Sequence, residues 1–425
     1  MFEKRTIQSL KTLLAAGAIV TLGAGVIANT AFAAPVPLVI GFTSDSSGQY
    51  ANSGASDRRG MLMAIDEFNA KGGVLGRMIK TVHMDTETTP ATGSRVAERV
   101  IAREKVGFLI GAVSSGVANA ISQVAQSHGV VYLNTNSSSP TESGKNCHRV
   151  KFVWDGNGAN FAQAAIKNSI GAYGKDVLLV TNDYVWGHNT SDATRKLVLA
   201  NGANIIDEIL VPQGTRDFSS VLLKIQQLKP QVIAVAVGGD DLKAMRSQIA
   251  QLGLGDKYAW VNNQQDWPDV YGLPADNLFG VFGTTWYYGM ELPGVDTFVT
   301  KYQKAYPDNK MKVPGNVFYN GYWATRSLLE TIERVGTTNN HAVIKGLEKL
   351  RIPAEARMQN HDAWMNAKTH QMQQTIYLAT RNANPTSDDD MFTMLSYAAP
   401  EKVADSGAEA TCELESFADT PVYTP

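Results

Sequence analysis

The stretch VGFLIGAVSSGVANAISQVAQSHGVVYLN, residues 106–134, decides how the chain folds. It opens with a short apolar run of strand-forming residues and pauses at Ser114-Ser115-Gly116. It then continues with helical apolar spacing and ends in a second strand-like run, VVYLN. A strand, a helix and another strand joined this closely predict a parallel βαβ unit.

The same alternation extends outward from residue 38 to about residue 283. PLVIGF, MIKTVHM, VGFLIGA, GVVYLN and RVKFVW read as strands, with GASDRRGMLMAIDEFNAKGG and TGSRVAERVIARE among the helices between them. After Asp155 a second series begins: VLLVTN, ANIIDEIL, QVIAVAVG, YAWVNN and LFGVFG alternate with NTSDATRKLVLANG, DFSSVLLKIQQLKP and DLKAMRSQIAQLG. Such alternation predicts parallel sheets covered by helices on both faces, and two series predict two open α/β lobes. Beyond residue 290 come three helical patterns without strands. AEARMQ and QQTIYLATRN predict a last strand pair, and MFTMLSYAAPEKVADSGAEATCELE predicts an irregular tail.

The chain has 425 residues, 44% hydrophobic and 18% charged, which suits two or three globular domains. Its start reads as an export signal. Lys4, Arg5 and Lys11 precede an apolar run from Leu13 to Ile27, and Ala31-Phe32-Ala33 predicts cleavage near Ala33-Ala34. Residues 1–33 carry three basic residues and one acidic residue, so the mature chain keeps 35 basic against 39 acidic residues, a net charge of −4. That mild charge argues against nucleic acid and against a polybasic membrane contact. Cys147 and Cys412 are the two cysteines, and in an exported chain they read as one disulfide rather than two free thiols.

In open α/β sheets, ligands gather at the carboxyl ends of the strands, where helix N-termini also point. The loops after the first-series strands offer Tyr50, Ser114, Ser115, Ser137 and Ser138, hydroxyl groups suited to a carboxylate or another small polar head. The serines also suit ordinary helix caps. GAVSSG does not fit the G-x-S-x-G of a nucleophile elbow, and no base is placed beside it, so catalysis by these serines is not expected. Walker A, G-x-G-x-x-G, H-E-x-x-H and Cys/His zinc spacings do not occur, so neither a cofactor nor a metal is expected. The second series offers Tyr184, Trp186, Asp240, Asn263 and Asp266. Trp154 and Trp286 stand at the joins, as ligand-facing rings or as packing between lobes.

GFTSDSSGQYANSG, FNAKGGVLGR, GAVSSGVANA, DYVWG and GTRDFSSVLLKIQQLKPQVI resemble the type I periplasmic solute-binding proteins of ABC transporters, in particular the Leu/Ile/Val-binding class. The resemblance spans about residues 36–412. It implies two lobes joined by three crossovers, near Trp154-Asp155, Thr284–Trp286 and Arg351–Ala356. The first lobe would hold residues 36–154 and 286–352, the second residues 155–285 and 353–398, with a tail at 399–425 tied by Cys147–Cys412. It implies a small amino acid or aromatic acid trapped between the lobes and passed to a membrane permease, or, in a sensor of the same fold, reported to a regulator. The chain would act as a monomer. Ser115 and Ser138 match carboxylate-holding positions, with Ser137 offering backbone, and Trp186 falls where the family often has Tyr. Asp240 lies near an aromatic family position, and Asp266 stands in for the acid that meets an ammonium group, although VNNQQDW lacks the family's glycines there.

Overall fold

A computed structural model describes residues 35–425, with residues 36–425 forming one compact unit. The predicted signal segment and its cleavage point lie outside the described residues. In the first lobe, β1 (Leu38–Phe42) leads into α1 (Ala51–Asn69), β2 (Ile79–His83), α2 (Pro90–Glu104), β3 (Phe108–Gly111), α3 (Ser115–His128), β4 (Val131–Asn134) and β5 (Lys151–Val153). The strands pair in parallel in the order β2-β1-β3-β4-β5. Every residue of β3 and β4 is buried, because helices cover both faces, so these strands read as unbroken apolar runs. Gly129 in the left-handed region ends α3.

The FNAKGGVLGR segment has a mechanical reason for its composition. Asn69 closes α1 against the start of β2 by donating to Ile79 O at 3.0 Å and accepting from Ile79 N at 2.8 Å. Gly73 has φ +87°, and a Cβ there would stand 1.9 Å from Arg77 O, so only glycine permits the turn.

The second lobe contains α4 (Gly158–Tyr173), β6 (Asp176–Asn182), α5 (Val185–Ala200), β7 (Asn204–Val211), α6 (Ser219–Leu228), β8 (Val232–Ala236), α7 (Gly239–Gln251), β9 (Ala259–Asn262), the short α8 (Trp267–Val270) and β10 (Val281–Thr284). Leu178, Val180, Ile233 and Val235 pack on α6 and α7. Their neighbours Val177, Leu179, Val232 and Ala234 pack on α4 and α5. That period-two division places two helices on each face of the sheet.

The chain then passes through α9 (Val295–Ala305), α10 (Asn316–Val335) and α11 (Asn340–Leu347). Helix α10 crosses α1 so closely that a Cβ on Gly60 would meet Phe318 O at 2.1 Å. A small antiparallel sheet follows, from β11 (Arg351–Ile352), β12 (Ala363–Met365) and β13 (Met372–Gln373), with α12 (Ala354–Arg357) inside it. The AEARMQ segment is therefore a helical turn, not a strand; Ala, Glu and Arg favour helix over strand. β14 (Ile376–Arg381) and β15 (Phe392–Ala398) complete the second sheet, in the order β15-β14-β10-β9-β8-β6-β7. Both are antiparallel to their neighbours, so this sheet is mixed. Residues 392–398, which the sequence pattern places in an irregular tail, form an edge strand instead. Its in–out alternation breaks at a bulge, where Met394 pairs with Ala379 but Ser396 with Leu378, and the apolar Leu395 and Tyr397 are left exposed.

Two short helices, α13 (Pro400–Val403) and α14 (Ser406–Thr411), precede the Cys147–Cys412 disulfide, which closes a sequence separation of 265 residues. Glu415 then accepts from Arg149 N at 2.7 Å, and Tyr423 OH donates to Val106 O at 2.8 Å. The C-terminal segment is thus fastened along the first lobe. Among the described residues no helix is long and apolar enough to cross a membrane.

Candidate functional site

The carboxyl ends of the two sheets face each other across a crevice. Tyr50, Val113, Asn136 and Ser138 line it from the first lobe. Tyr184, Trp186, Gly238, Gln264, Asp266 and Asp269 line it from the second. Its free interior volume is about 20 Å³, room for about one water, so the two walls stand closed on each other.

A buried carboxylate organises the first wall. Asp57 on α1 accepts hydrogen bonds from Ser44 Oγ, Thr135 Oγ1 and Asn136 Nδ2, each at 2.8 Å. Burial pushes its carboxyl up to about 7, against the lowering effect of these donors. Asn136 is thereby held in the crevice wall. Next to it, Ser115 Oγ accepts from Ser139 N at 3.2 Å and lies 3.1 Å from Ser137 Oγ. Ser137 is also bonded to Glu142. Glu142 accepts from Asn134 Nδ2 at 2.7 Å and stands 3.6 Å from Lys151 Nζ, and both members of that ion pair are fully buried. Desolvation pushes the Glu142 carboxyl up and the Lys151 ammonium down; their mutual attraction opposes both effects.

Two walls of different chemistry meet at several points. Tyr50 OH and Tyr184 OH are hydrogen-bonded to each other, and Ser138 donates to Gln264 Oε1. Gln49 Nε2 donates to Gly238 O at 2.9 Å, and Ser53 Oγ to Asp269 Oδ1 at 3.2 Å. The Tyr184 ring lies 6.3 Å from that of Tyr50 and 6.2 Å from that of Trp186, which makes one continuous aromatic strip.

Below the strip lie three carboxylates. Asp266 Oδ1 accepts from Asn316 Nδ2 at 2.7 Å and from Gln264 Nε2 at 3.1 Å. Gln264 Nε2 also reaches Asp155 Oδ2 at 2.8 Å. Asp155 Oδ1 takes Gly156 N, Asn320 Nδ2 and Thr285 Oγ1. Asp269 Oδ2 accepts from Gly239 N at 2.7 Å. Burial pushes all three carboxyls up, Asp269 to about 8, and the neighbouring Asp266 charge raises Asp155 and Asp269 further.

The structure brings Tyr50, Ser138, Tyr184, Trp186 and Asp266 together in the crevice. It does not bring the other seven candidates to its surface. Ser115 and Ser137 sit one layer behind, tied to Ser139 and Glu142. Ser114 holds the N-cap position of α3 without a side-chain cap bond. Trp154 is core, with the Arg357 guanidinium 5.9 Å from its ring, and Trp286 stacks on Tyr319 at 5.0 Å. Asp240 faces Arg216 at 3.5 Å, and Asn263 donates to Thr194 Oγ1 at 2.8 Å. Sequence pattern does not single out Val113, Asn136, Gln264 and Asp269, which also line the crevice. For Asp269 a signal exists: in DWPD it follows Asp266 by three residues, the spacing that puts two side chains on one face at a helix start. Among the described residues no group of His, Cys, Asp and Glu is arranged to hold a metal ion.

Two α/β lobes meeting at their strand ends across a narrow lined crevice define a bilobal solute-binding fold. Residues 37–386 match the family described as "Periplasmic binding protein", and the chain belongs to that family. It is 28% identical over 217 residues to the Leu/Ile/Val-binding protein BraC3 of Rhizobium johnstonii, a match spanning 50% of this chain and 58% of that relative. It is 27% identical over 330 residues to Leu/Ile/Val-binding protein homolog 7 of Brucella suis, covering 72% of this chain and 80% of the relative. Among solved structures, an amino acid ABC transporter substrate-binding protein from Pseudomonas fluorescens superposes with TM-score 0.79 at 20% identity, covering 89% of this chain and 99% of that one. A solute-binding protein from Rhodopseudomonas palustris in complex with 3,4-dihydroxybenzoic acid superposes with TM-score 0.75 at 18% identity, covering 86% and 98%. The family comprises non-enzymatic solute-binding proteins of the periplasm, and the chain is not an enzyme.

Proposed function

We propose that this protein is the periplasmic solute-binding component of an ABC importer, which takes a small organic solute between its lobes and presents the closed form to a permease of the inner membrane. One observation carries the reading: the lined crevice lies between walls that touch through Tyr50–Tyr184 and Ser138–Gln264, so solute and lobe closure share one surface. The two bodies are residues 36–154 with 286–373, and residues 155–285 with 376–398, because the segment expected to cross back at residue 353 stays with the first lobe: Val153 N donates to His370 O at 2.8 Å and the Phe152 and His370 rings stack at 4.1 Å. Gln359 Nε2 on Thr285 O (2.8 Å) and Gln374 Nε2 on Trp154 O (2.7 Å) tie the three crossovers into one hinge. A solute shifts such a hinge toward closure only by binding the closed form better. One relative is named a Leu/Ile/Val-binding protein, another is named a homolog of one, and one structural neighbour holds 3,4-dihydroxybenzoic acid, so both classes belong in the first panel.

The test is thermal unfolding against amino acids, aromatic acids, amides and amines, paired with native mass spectrometry of the purified protein. A true solute at a hundredfold over its Kd adds about 2.7 kcal/mol of stability. A flat panel together with no co-purifying small molecule would remove the transport reading.

A further inference from the structure

We propose that the open edge of β15 is a docking site for an extended segment of another protein, one that alternates apolar and basic residues and joins the second sheet as an added strand. This goes beyond the solute reading and does not depend on which solute the crevice takes.

The edge itself is the first argument. β15 pairs with β14 on one side, and among the described residues no strand pairs with it on the other. A groove of about 500 Å³ is lined by Thr393, Met394, Leu395, Ser396 and Tyr397. Successive side chains of a strand point to opposite faces, so five consecutive residues line one groove because it follows the strand's backbone edge. Native sheets blunt such an edge with charge, proline, a bulge or a cover. Phe392–Ala398 contains no charged residue and no proline. The bulge opposite Leu378 and Ala379 twists the strand, yet Leu395 and Tyr397 stay 52% and 55% exposed.

The second argument is what flanks the edge. Met290, Leu292 and Tyr377 also line the groove and offer apolar surface to alternate side chains of an incoming strand. The two charged lining residues, Glu291 and Asp390, are both acidic, and no Lys, Arg or His lines the groove among the described residues. Asp388 and Asp389 precede Asp390 in the same loop. Arg381, the basic residue of β14, lies 3.9 Å from Asp276 instead.

That charge selects the occupant. A second copy entering the groove would bring its own β15, FTMLSYA, flanked by the same acids and with no cation to set against Glu291 and Asp390. A segment with a basic residue at every second position supplies those cations while its backbone fills the open ladder.

Fluorescence anisotropy on the purified full chain tests this with labelled peptides of about ten residues, longer than the seven of β15. One peptide alternates valine and lysine, the second replaces lysine by glutamate, and the third is the lysine peptide with its central backbone amides N-methylated. The first is expected to bind at least about tenfold tighter than either of the others, the scale of one or two net backbone hydrogen bonds. Leu395→Lys and Glu291→Lys should each weaken it by at least about threefold, the scale of one exposed charge pair, while unfolding at the wild-type temperature. Equal binding of the lysine and N-methylated peptides would mean charge attraction without an added strand, and undiminished binding to Leu395→Lys would put the contact elsewhere. Either result overturns the proposal, as does no binding of the lysine peptide. Sedimentation velocity covers the remaining occupant: a wild-type dimer that Leu395→Lys abolishes would assign the edge to a second copy and overturn it too. If a variant does not fold, the three peptides on the wild type decide. The solute titrations are read separately, so failure here leaves the importer reading standing.

Discussion

Tyr50 OH and Tyr184 OH are hydrogen-bonded to each other across the crevice, one from the residue before α1 and the other from the residue before α5. The pair therefore belongs to the closed state and to neither lobe alone. Tyr184→Phe keeps the ring and deletes the bond, which removes about 0.5–1.5 kcal/mol from closure and multiplies the open fraction by roughly two to ten. Small-angle scattering should show a larger radius of gyration for the unliganded variant than for the wild type. Identical profiles would mean that this contact does not hold the lobes together.

Ser115 and Ser138 separate the two roles that a serine at a strand end can take. Ser138 lines the crevice and bonds to Gln264 on the opposite wall. Ser115 is fully buried against Ser137 and Ser139. Ser115→Ala should cost about 1 kcal/mol of stability and change solute affinity less than about threefold, whereas Ser138→Ala should weaken binding more than it weakens the fold. Denaturant midpoints and titration calorimetry on both variants check the division. A larger affinity loss from Ser115→Ala would restore the family-like serine grip.

These two serines also mark how far the sequence can be read. Strand–helix alternation suffices for both sheets because every core strand is flanked by helices and carries unbroken apolar runs such as FLIG and VIAVA. It fails at residues 354–357 and 392–398, where the elements are short or half-exposed and local pattern is weak. Tyr50, Tyr184 and Trp186 are legible because large rings stand out in polar loops at strand ends. Asn136 and Gln264 are not. Their place in the crevice depends on Asp57 and Asp155, which lie 79 and 109 residues away in sequence.

Asp57 predicts a pH dependence with a definite sign. Its carboxyl is raised to about 7 in the fold from an ordinary 3.8. Between those values the folded chain binds the proton that the unfolded chain has released, so the contribution is whole below pH 4 and is lost as pH rises through 7. Asp45, raised to about 6, adds to the same slope. Each pH unit that separates the folded from the unfolded carboxyl corresponds to about 1.4 kcal/mol, so the wild type should lose a few kcal/mol from pH 4.5 to 8, and Asp57→Asn should flatten that fall. Urea midpoints across the range measure it. Equal slopes for both proteins would show that Asp57 does not carry the effect.

The Cys147–Cys412 disulfide closes a long loop, yet the segment it holds is also fastened by Glu415 on His148 and Arg149. Chain entropy therefore acts alongside side-chain anchors that survive reduction. Reducing the bond, or Cys412→Ser, should cost about 2–4 kcal/mol and make the chain beyond residue 398 the first site of limited proteolysis, with solute affinity unchanged. An affinity change would tie this clamp to lobe closure.

The Glu142–Lys151 pair lies fully buried behind the serine wall, its partners 3.6 Å apart. Neither charge reaches water, so each exists at the expense of desolvation and depends on the other. Lys151→Met strands a carboxylate among Asn134, Ser137 and apolar strands, and should destabilise by about 3–5 kcal/mol. Adding Glu142→Gln removes the stranded charge while keeping an acceptor for Asn134 and Ser137, so the double variant should recover most of the loss. A cycle of four proteins, measured by urea unfolding, gives the coupling directly. An additive double variant would mean that the pair is not coupled, and that the hydroxyls of Ser115 and Ser137 are oriented by the backbone rather than by Glu142.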